Sequence, residues 1–326
     1  MFVLRSSFTL ASRNAFRLPK NTVASLHTKE TPIDLHYAEQ IPSDGNKTRG
    51  AIVILHGLFG SARNWGAHSR TFARNLNRPI YALDLRNHGT SGHVRPMTYS
   101  AMAADVIHFI RQRSLSDVSL IGHSMGGKVA MTVALDADAS LPESTLSNLV
   151  VVDIAPAQGS LSKEFRAYIE AMKKIEAAKI STRKEALDIL HEYEKDPDVC
   201  AFLLTNLVPR PHSSHFRIPV DLIGQSIEEM GSFPFTPEEA QWTGNTLFVK
   251  GAKSSYINRH NIPLAEKLFP TMKIETLDTS HWGRCPLAVN AHKDESNRLF
   301  PYTSSFRKTT RIFNSHTKFR STPIDR

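Results

Sequence analysis

Cysteine is nearly missing: Cys200 and Cys285 are the only two in 326 residues. Two thiols can build neither a disulfide framework nor a four-ligand zinc site, so a stapled secreted module and a structural zinc fold are both excluded. No oxidising compartment is demanded. Long hydrophobic runs are missing too. None approaches the roughly 18 apolar residues of a membrane-spanning helix, so no transmembrane segment is expected. Neither GxGxxG nor GxxxxGK[ST] occurs, and no three metal-binding side chains recur at helical or hairpin spacing. Neither a cofactor nor a metal is therefore implied.

Acidic residues are absent from one stretch in particular. Residues 1–29 hold five Lys or Arg and no Asp or Glu, a net +5, whereas residues 282–326 carry +6 and residues 30–281 only −2. The formal +9 thus sits at the two ends of the chain. A protein that binds nucleic acid spreads positive charge over its folded face, so no nucleic-acid partner is expected. Residues 1–29 combine Arg and Ser with loosely spaced Phe2, Leu4, Phe8, Leu10, Phe16 and Leu18, the composition of a mitochondrial transit peptide. A secretory signal would need an uninterrupted apolar stretch, and Phe8-Thr-Leu-Ala-Ser-Arg13 breaks it. Residues 283–326 are rich in Ser, Thr, Asn and Arg without helical or strand period, and read as a disordered basic tail.

Between the ends, short apolar runs alternate with amphipathic stretches. Ala51–Leu55, Ile80–Leu83, Val118–Ile121, Leu149–Val152, Leu247–Val249 and, more weakly, Ile274–Leu277 read as strands. Helices are expected at 65–75, 100–112, 128–135 and 263–269. Strand and helix in turn, with near-continuous apolar strands, means an α/β fold: a mostly parallel sheet covered by helices on both faces. Residues 156–243 interrupt the alternation and look entirely helical, with Phe165, Ile169, Met172 and Ile175 at helical spacing and a capping box at Thr182 and Glu185. The expected organisation is a core of 30–155 and 244–282 with a helical cap, 156–243, inserted between strands and placed to roof a pocket.

Gly122-His-Ser-Met-Gly126 matches G-x-S-x-G, directly after one predicted strand and directly before a helix. A turn that tight strains the serine backbone, lifts the hydroxyl above the sheet and aims a helix N-terminus at the reacting carbonyl. Ser124 is therefore the candidate nucleophile. A serine needs a base, and in this chain order the base follows the last strand, where Asp278-Thr-Ser-His281-Trp282 supplies His281. His88 and His93 fall in a turn, and His212 and His215 in the insert. The loop after Leu247–Val249 holds no carboxylate, so the acid is assigned to Asp153 at the end of the preceding strand, with Asp278 as the rival. The oxyanion hole needs two N–H groups: that of Met125, after the nucleophile, and that of Leu58 in His56-Gly-Leu-Phe-Gly-Ser61, with Phe59 as the alternative. His56 is read as holding that loop, and Asp84–Ser91 as a turn pinned by Asp and Arg. Lys128 should run along the helix behind the nucleophile. An Asp nucleophile would signal epoxide or haloalkane opening, and Ser124 excludes it.

Together His56–Ser61, Asp84-Leu-Arg-Asn-His-Gly-Thr-Ser91, Gly122–Lys128, Val152-Asp-Ile-Ala-Pro156 and Ser280-His-Trp282 resemble the α/β-hydrolase superfamily. They are similar to its subgroup of bacterial short-chain esterases, animal α/β-hydrolase domain-containing protein 11 and fungal mitochondrial ethanol acetyltransferases. The resemblance spans residues 33–282. It implies that the acid lies in the Val-Asp-Ile-Ala-Pro motif, that esters or thioesters of short acyl groups are cleaved, and that fungal members pass acetyl from acetyl-CoA to an alcohol. It also implies a mitochondrial address. Beyond Trp282 the family pattern continues into a final helix, whereas here Gly283-Arg-Cys-Pro286 leads into the basic tail. A reading from another class is a catalytically weak relative that binds or stabilises a mitochondrial partner.

Overall fold

A computed structural model describes residues 31–282, apart from 44, 46–49, 143, 160 and 212. The expected transit peptide and basic tail, and His212, lie outside the described residues. The first apolar runs are strands: β2 (Ala51–Leu55), β3 (Ile80–Leu83), β4 (Val118–His123) and β5 (Leu146–Val152), preceded by β1 (Tyr37–Gln40). Helices α1 (Gly66–Leu76), α2 (Tyr99–Gln112) and α3 (Met125–Ser140) separate them. After the insert come β8 (Asn245–Gly251), α8 (Ile262–Leu268) and β9 (Lys273–Leu277). Among the described residues the sheet has seven strands in the order β1-β3-β2-β4-β5-β8-β9. All neighbours are parallel except β1, which pairs antiparallel with β3.

Burial on both faces explains why these strands read as unbroken apolar runs. Ile52 and Ile54 of β2 pack with Trp65, Phe72 and Ala73 on the α1 side. Val53 and Leu55 face Met102 and Val106 of α2 and Val129 and Val133 of α3 on the other. Each such side chain contributes roughly 1.5–3 kcal/mol by leaving water. In register, Leu55 stands beside Gly122, Gly122 beside Val151, and Val151 beside Phe248. The residues just past them therefore converge at one edge, the carboxyl ends of parallel strands where ligands bind in open α/β sheets.

The insert lies between β5 and β8. Its helices are α4 (Lys163–Ala177), α5 (Arg183–Leu190), α6 (Pro197–Leu203) and α7 (Val220–Gln225). Phe165, Ile169, Met172 and Ile175 are buried at the expected spacing, and the Thr182–Glu185 capping box opens α5. The expectation of an entirely helical insert is corrected at one place. β6 (Leu207–Val208) and β7 (His215–Phe216) form an antiparallel pair, so His215 sits on a strand. Pro209 and Pro211 bar a helix there by removing donors and fixing φ, and Arg210 N–H donates to Ser214 Oγ (3.1 Å) to close the turn.

Four successive carbonyls near the exit of the insert are held, two by core side chains and two by the first residues of the insert itself. Tyr99 Oη donates to Met230 O (2.9 Å), the Gly159 N–H to Gly231 O (2.9 Å), Lys128 Nζ to Ser232 O (2.7 Å) and Gln158 Nε2 to Phe233 O (3.1 Å). Lys128 does start on the helix behind Ser124, and its ammonium is spent on the Ser232 carbonyl. Burial lowers that ammonium to about 8. No helix among the described residues is long and apolar enough to cross a membrane.

Candidate active site

Ser124 stands between β4 and α3 with φ 51° and ψ −120°, a left-handed backbone that a non-glycine residue adopts only at a cost. Surrounding bonds hold it there. Its N–H donates to Val152 O (3.0 Å), and its carbonyl accepts from the Gly127 and Lys128 N–H groups (2.8 and 3.1 Å). The flanking glycines permit the turn: a Cβ on Gly122 would lie 2.1 Å from Gly126 O, and one on Gly126 would lie 2.5 Å from His56 O. Sequence spacing alone thus placed the strained hydroxyl at the strand edge.

The three expected side chains meet. Ser124 Oγ lies 3.0 Å from His281 Nε2, and His281 Nδ1 lies 2.9 Å from Asp153 Oδ2. A carboxylate beside Nδ1 fixes the proton there, which leaves Nε2 to accept from the serine hydroxyl. All three residues are buried. Burial by itself would raise the Asp153 carboxyl. Hydrogen bonds from His281, Ser254 and the Gly251 N–H (2.9 Å) outweigh it and hold the carboxyl below the usual range. Asp278, the rival acid, is exposed and pairs with Lys253 at 3.0 Å. It turns the loop instead.

The two oxyanion candidates differ in their hydrogen bonds in the loop after β2. The Phe59 N–H donates to His88 Nε2 (3.2 Å) and is occupied. Among the described residues the N–H groups of Leu58 and Met125 have no hydrogen-bond acceptor and are free to donate. His56 holds the loop as expected: Nδ1 donates to Gly57 O (2.8 Å), and Nε2 accepts from the Leu85 N–H (3.0 Å). The turn after β3 is pinned by Asp84, which accepts from the Ala62 and Thr90 N–H groups (2.7 and 2.9 Å), and by Arg86, which grips Asp105 through two bonds of 2.6 and 2.7 Å.

Sequence reasoning missed the packing around the imidazole. His281 lies against His123 (centroids 5.3 Å apart), under Tyr256 (4.0 Å) and edge-on to Trp282 (5.5 Å). Desolvation, and then the neighbouring His281, lower His123 to about 3, so the pair never carries two charges near neutrality. His88 is likewise lowered to about 3, chiefly by burial, which keeps its Nε2 an acceptor. Trp282 continues into an aromatic wall with Phe165 and Phe202 of the insert. Only the Gly-His-Ser string hinted at His123; Tyr256 had no local signal. No group of three or more His, Cys, Asp or Glu among the described residues is placed to hold a metal ion.

The alpha/beta hydrolase family model matches residues 52–240. A protein of Danio rerio named sn-1-specific diacylglycerol lipase ABHD11 is 37% identical over 257 residues, which cover 77% of this chain and 78% of that one. A probable alcohol acetyltransferase of Saccharomyces cerevisiae is 36% identical over 292 residues, covering 82% of each. A solved structure described as a marine microorganism esterase superposes with a TM-score of 0.68 at 30% identity, over 77% of this chain and 93% of that one. The chain belongs to the alpha/beta hydrolase family. Family, relatives and structural neighbour together mark a hydrolase of the esterase type.

Proposed function

We propose that the protein is a serine hydrolase that cleaves carboxylic esters or thioesters of short acyl groups through an acyl-Ser124 intermediate. The observation that carries this reading is the continuous path from Ser124 Oγ through His281 to Asp153. Ser124 Oγ attacks the acyl carbonyl while His281 Nε2 takes its proton. Asp153 keeps the imidazole in one tautomer and stabilises the imidazolium. The N–H groups of Leu58 and Met125 receive the developing oxyanion, and the imidazolium returns its proton to the departing alkoxide or thiolate. The first test is Ser124→Ala. It abolishes labelling by a fluorophosphonate and lowers turnover by roughly 10⁶-fold with the melting temperature retained. Undiminished labelling would place the nucleophile elsewhere.

A lipase and an acetyltransferase built on one acyl-serine differ only in the acceptor. Water outnumbers millimolar alcohol by between four and five decades, so transfer would need roughly 6 kcal/mol of preference for alcohol. Hydrolysis therefore dominates unless alcohol is abundant. The measurement is product partition: acetyl-CoA or a p-nitrophenyl ester is supplied, ethanol is titrated, and ethyl ester is quantified against free acid. Ester exceeding acid at low millimolar ethanol would make the protein primarily a transferase. No turnover by folded protein would favour a catalytically silent binding role. Residues 1–29 we assign to mitochondrial import on composition; fusion to a fluorescent reporter tests this, and a cytosolic signal would refute it.

A further inference from the structure

We propose that Asn206, carried by the insert, is a positioning residue that orients the Leu58 N–H of the oxyanion hole. The inference rests on the serine-hydrolase reading above. Three consecutive peptide planes make up the loop, and each is held by one side chain. In the first plane, Gly57 C=O accepts from His56 Nδ1 (2.8 Å) and from the Gly60 N–H (2.9 Å). A trans peptide is planar, so fixing that carbonyl points the Leu58 N–H the opposite way. In the second plane, His88 Nε2 holds the Phe59 N–H (3.2 Å). In the third, Asn206 Nδ2 donates to Phe59 C=O (2.7 Å).

The third plane closes a circuit. Its far edge is the Gly60 N–H, the donor to Gly57 O. Asn206 therefore acts on the Leu58 N–H through two planes: Nδ2 to Phe59 O, then Gly60 N–H to Gly57 O, whose partner across the peptide bond is the Leu58 N–H. Without such clamps the loop would relax, because Phe59 sits at φ 63°, a strained angle for an aromatic residue. Asn206 is itself rigidly placed. It is 2% exposed, its second amide hydrogen faces Leu203 O (3.4 Å), and its backbone carbonyl accepts from the Arg217 N–H (2.8 Å). The insert thus does more than cover the site: docking it sets one half of the hole.

The experiment compares Asn206→Ala, Asn206→Asp and Asn206→Gln in the purified full chain, with turnover of a p-nitrophenyl ester normalised to folded protein. The aspartate is isosteric but cannot donate; the glutamine restores a donor one methylene further out. Loss of aim at one oxyanion donor should lower kcat by roughly 10- to 100-fold in the alanine and aspartate variants, with KM within about twofold. The inhibition constant of an aryl boronic acid, whose tetrahedral adduct needs the hole, should rise by the same factor as kcat/KM falls. Glutamine should recover part of the loss. An unchanged kcat in either folded variant, or a rise in KM alone, would overturn the assignment. Failure of both variants to fold would make Asn206 purely structural and overturn it equally. Absence of turnover in the parent chain, or its survival in Ser124→Ala, would instead defeat the serine-hydrolase reading.

Discussion

The sheet core seals one ion pair completely from solvent, whereas the described pairs of the insert all lie at its surface. In the core, Arg86 and Asp105 are both sealed from solvent, with side chains 1% and 0% exposed, and Arg86 also donates to Pro96 O (2.6 Å). In the insert the ion pairs lie on the surface: Lys184 with Asp188 at 2.9 Å and Lys173 with Asp221 at 3.2 Å, on largely exposed side chains. A buried pair that loses one partner strands the other charge in a low dielectric, whereas water replaces a lost surface partner at once. The site follows the same division. Every residue assigned to the chemistry lies just past the carboxyl end of a core strand, and the insert reaches it through a few bonds such as that from Asn206.

The largest expected effect tests that contrast directly. Arg86→Ala leaves Asp105 buried and unpaired; burial pushes this carboxyl up even with Arg86 in place. Unfolding by denaturant should show a loss of about 3–5 kcal/mol. A loss under about 1 kcal/mol would erase the distinction between the two regions.

The same division explains what the sequence could and could not disclose. The central strands are apolar on both faces, so their runs stand out, and Ser124, Asp153 and His281 follow from the strand ends on which they must sit. β1 escaped notice because Tyr37-Ala-Glu-Gln40 is an edge strand, half open to water, with no apolar run to betray it. The β6–β7 pair has two residues per strand, too few for any alternation to register. Leu58 could not be separated from Phe59 by spacing; His88, 29 residues away, makes the difference. Asn206 lies 147 residues from the carbonyl that it holds, and no local pattern encodes such a contact.

A second prediction exploits the buried histidines of the core. His88 and His123 are each lowered to about 3, first of all by burial. Above pH 6.5 both folded and unfolded chains carry them neutral, and their contribution is fully present. Between pH 6.5 and 3 the unfolded chain takes up protons that the folded chain refuses, so stability falls as pH falls. The slope should be about 1.4 kcal/mol per pH unit for each histidine. His88→Gln, measured by denaturant midpoints from pH 7 to 4, should reduce the slope by one proton's worth. An unchanged slope would mean that His88 is already protonated in the folded chain and does not accept from Phe59.

The smallest effect belongs to the insert and asks whether its helices depend on local signals. Thr182 Oγ1 accepts from the Glu185 N–H (3.2 Å), and the Glu185 carboxylate accepts from the Thr182 N–H (2.8 Å). Two otherwise orphaned donors at the start of α5 are thereby satisfied. Thr182→Ala removes one half of the box and should cost about 1 kcal/mol. Lys184→Ala, on the same turn, removes only an exposed ion pair and should leave the unfolding midpoint unmoved in both low and high salt. Neither change touches the path from Ser124 to Asp153, so turnover per folded molecule should hold in both. The informative failure is a fall in kcat for Thr182→Ala. α5 packs against α4 and the turn that carries Asn206, and such a fall would show that the insert passes its own loosening to the oxyanion loop.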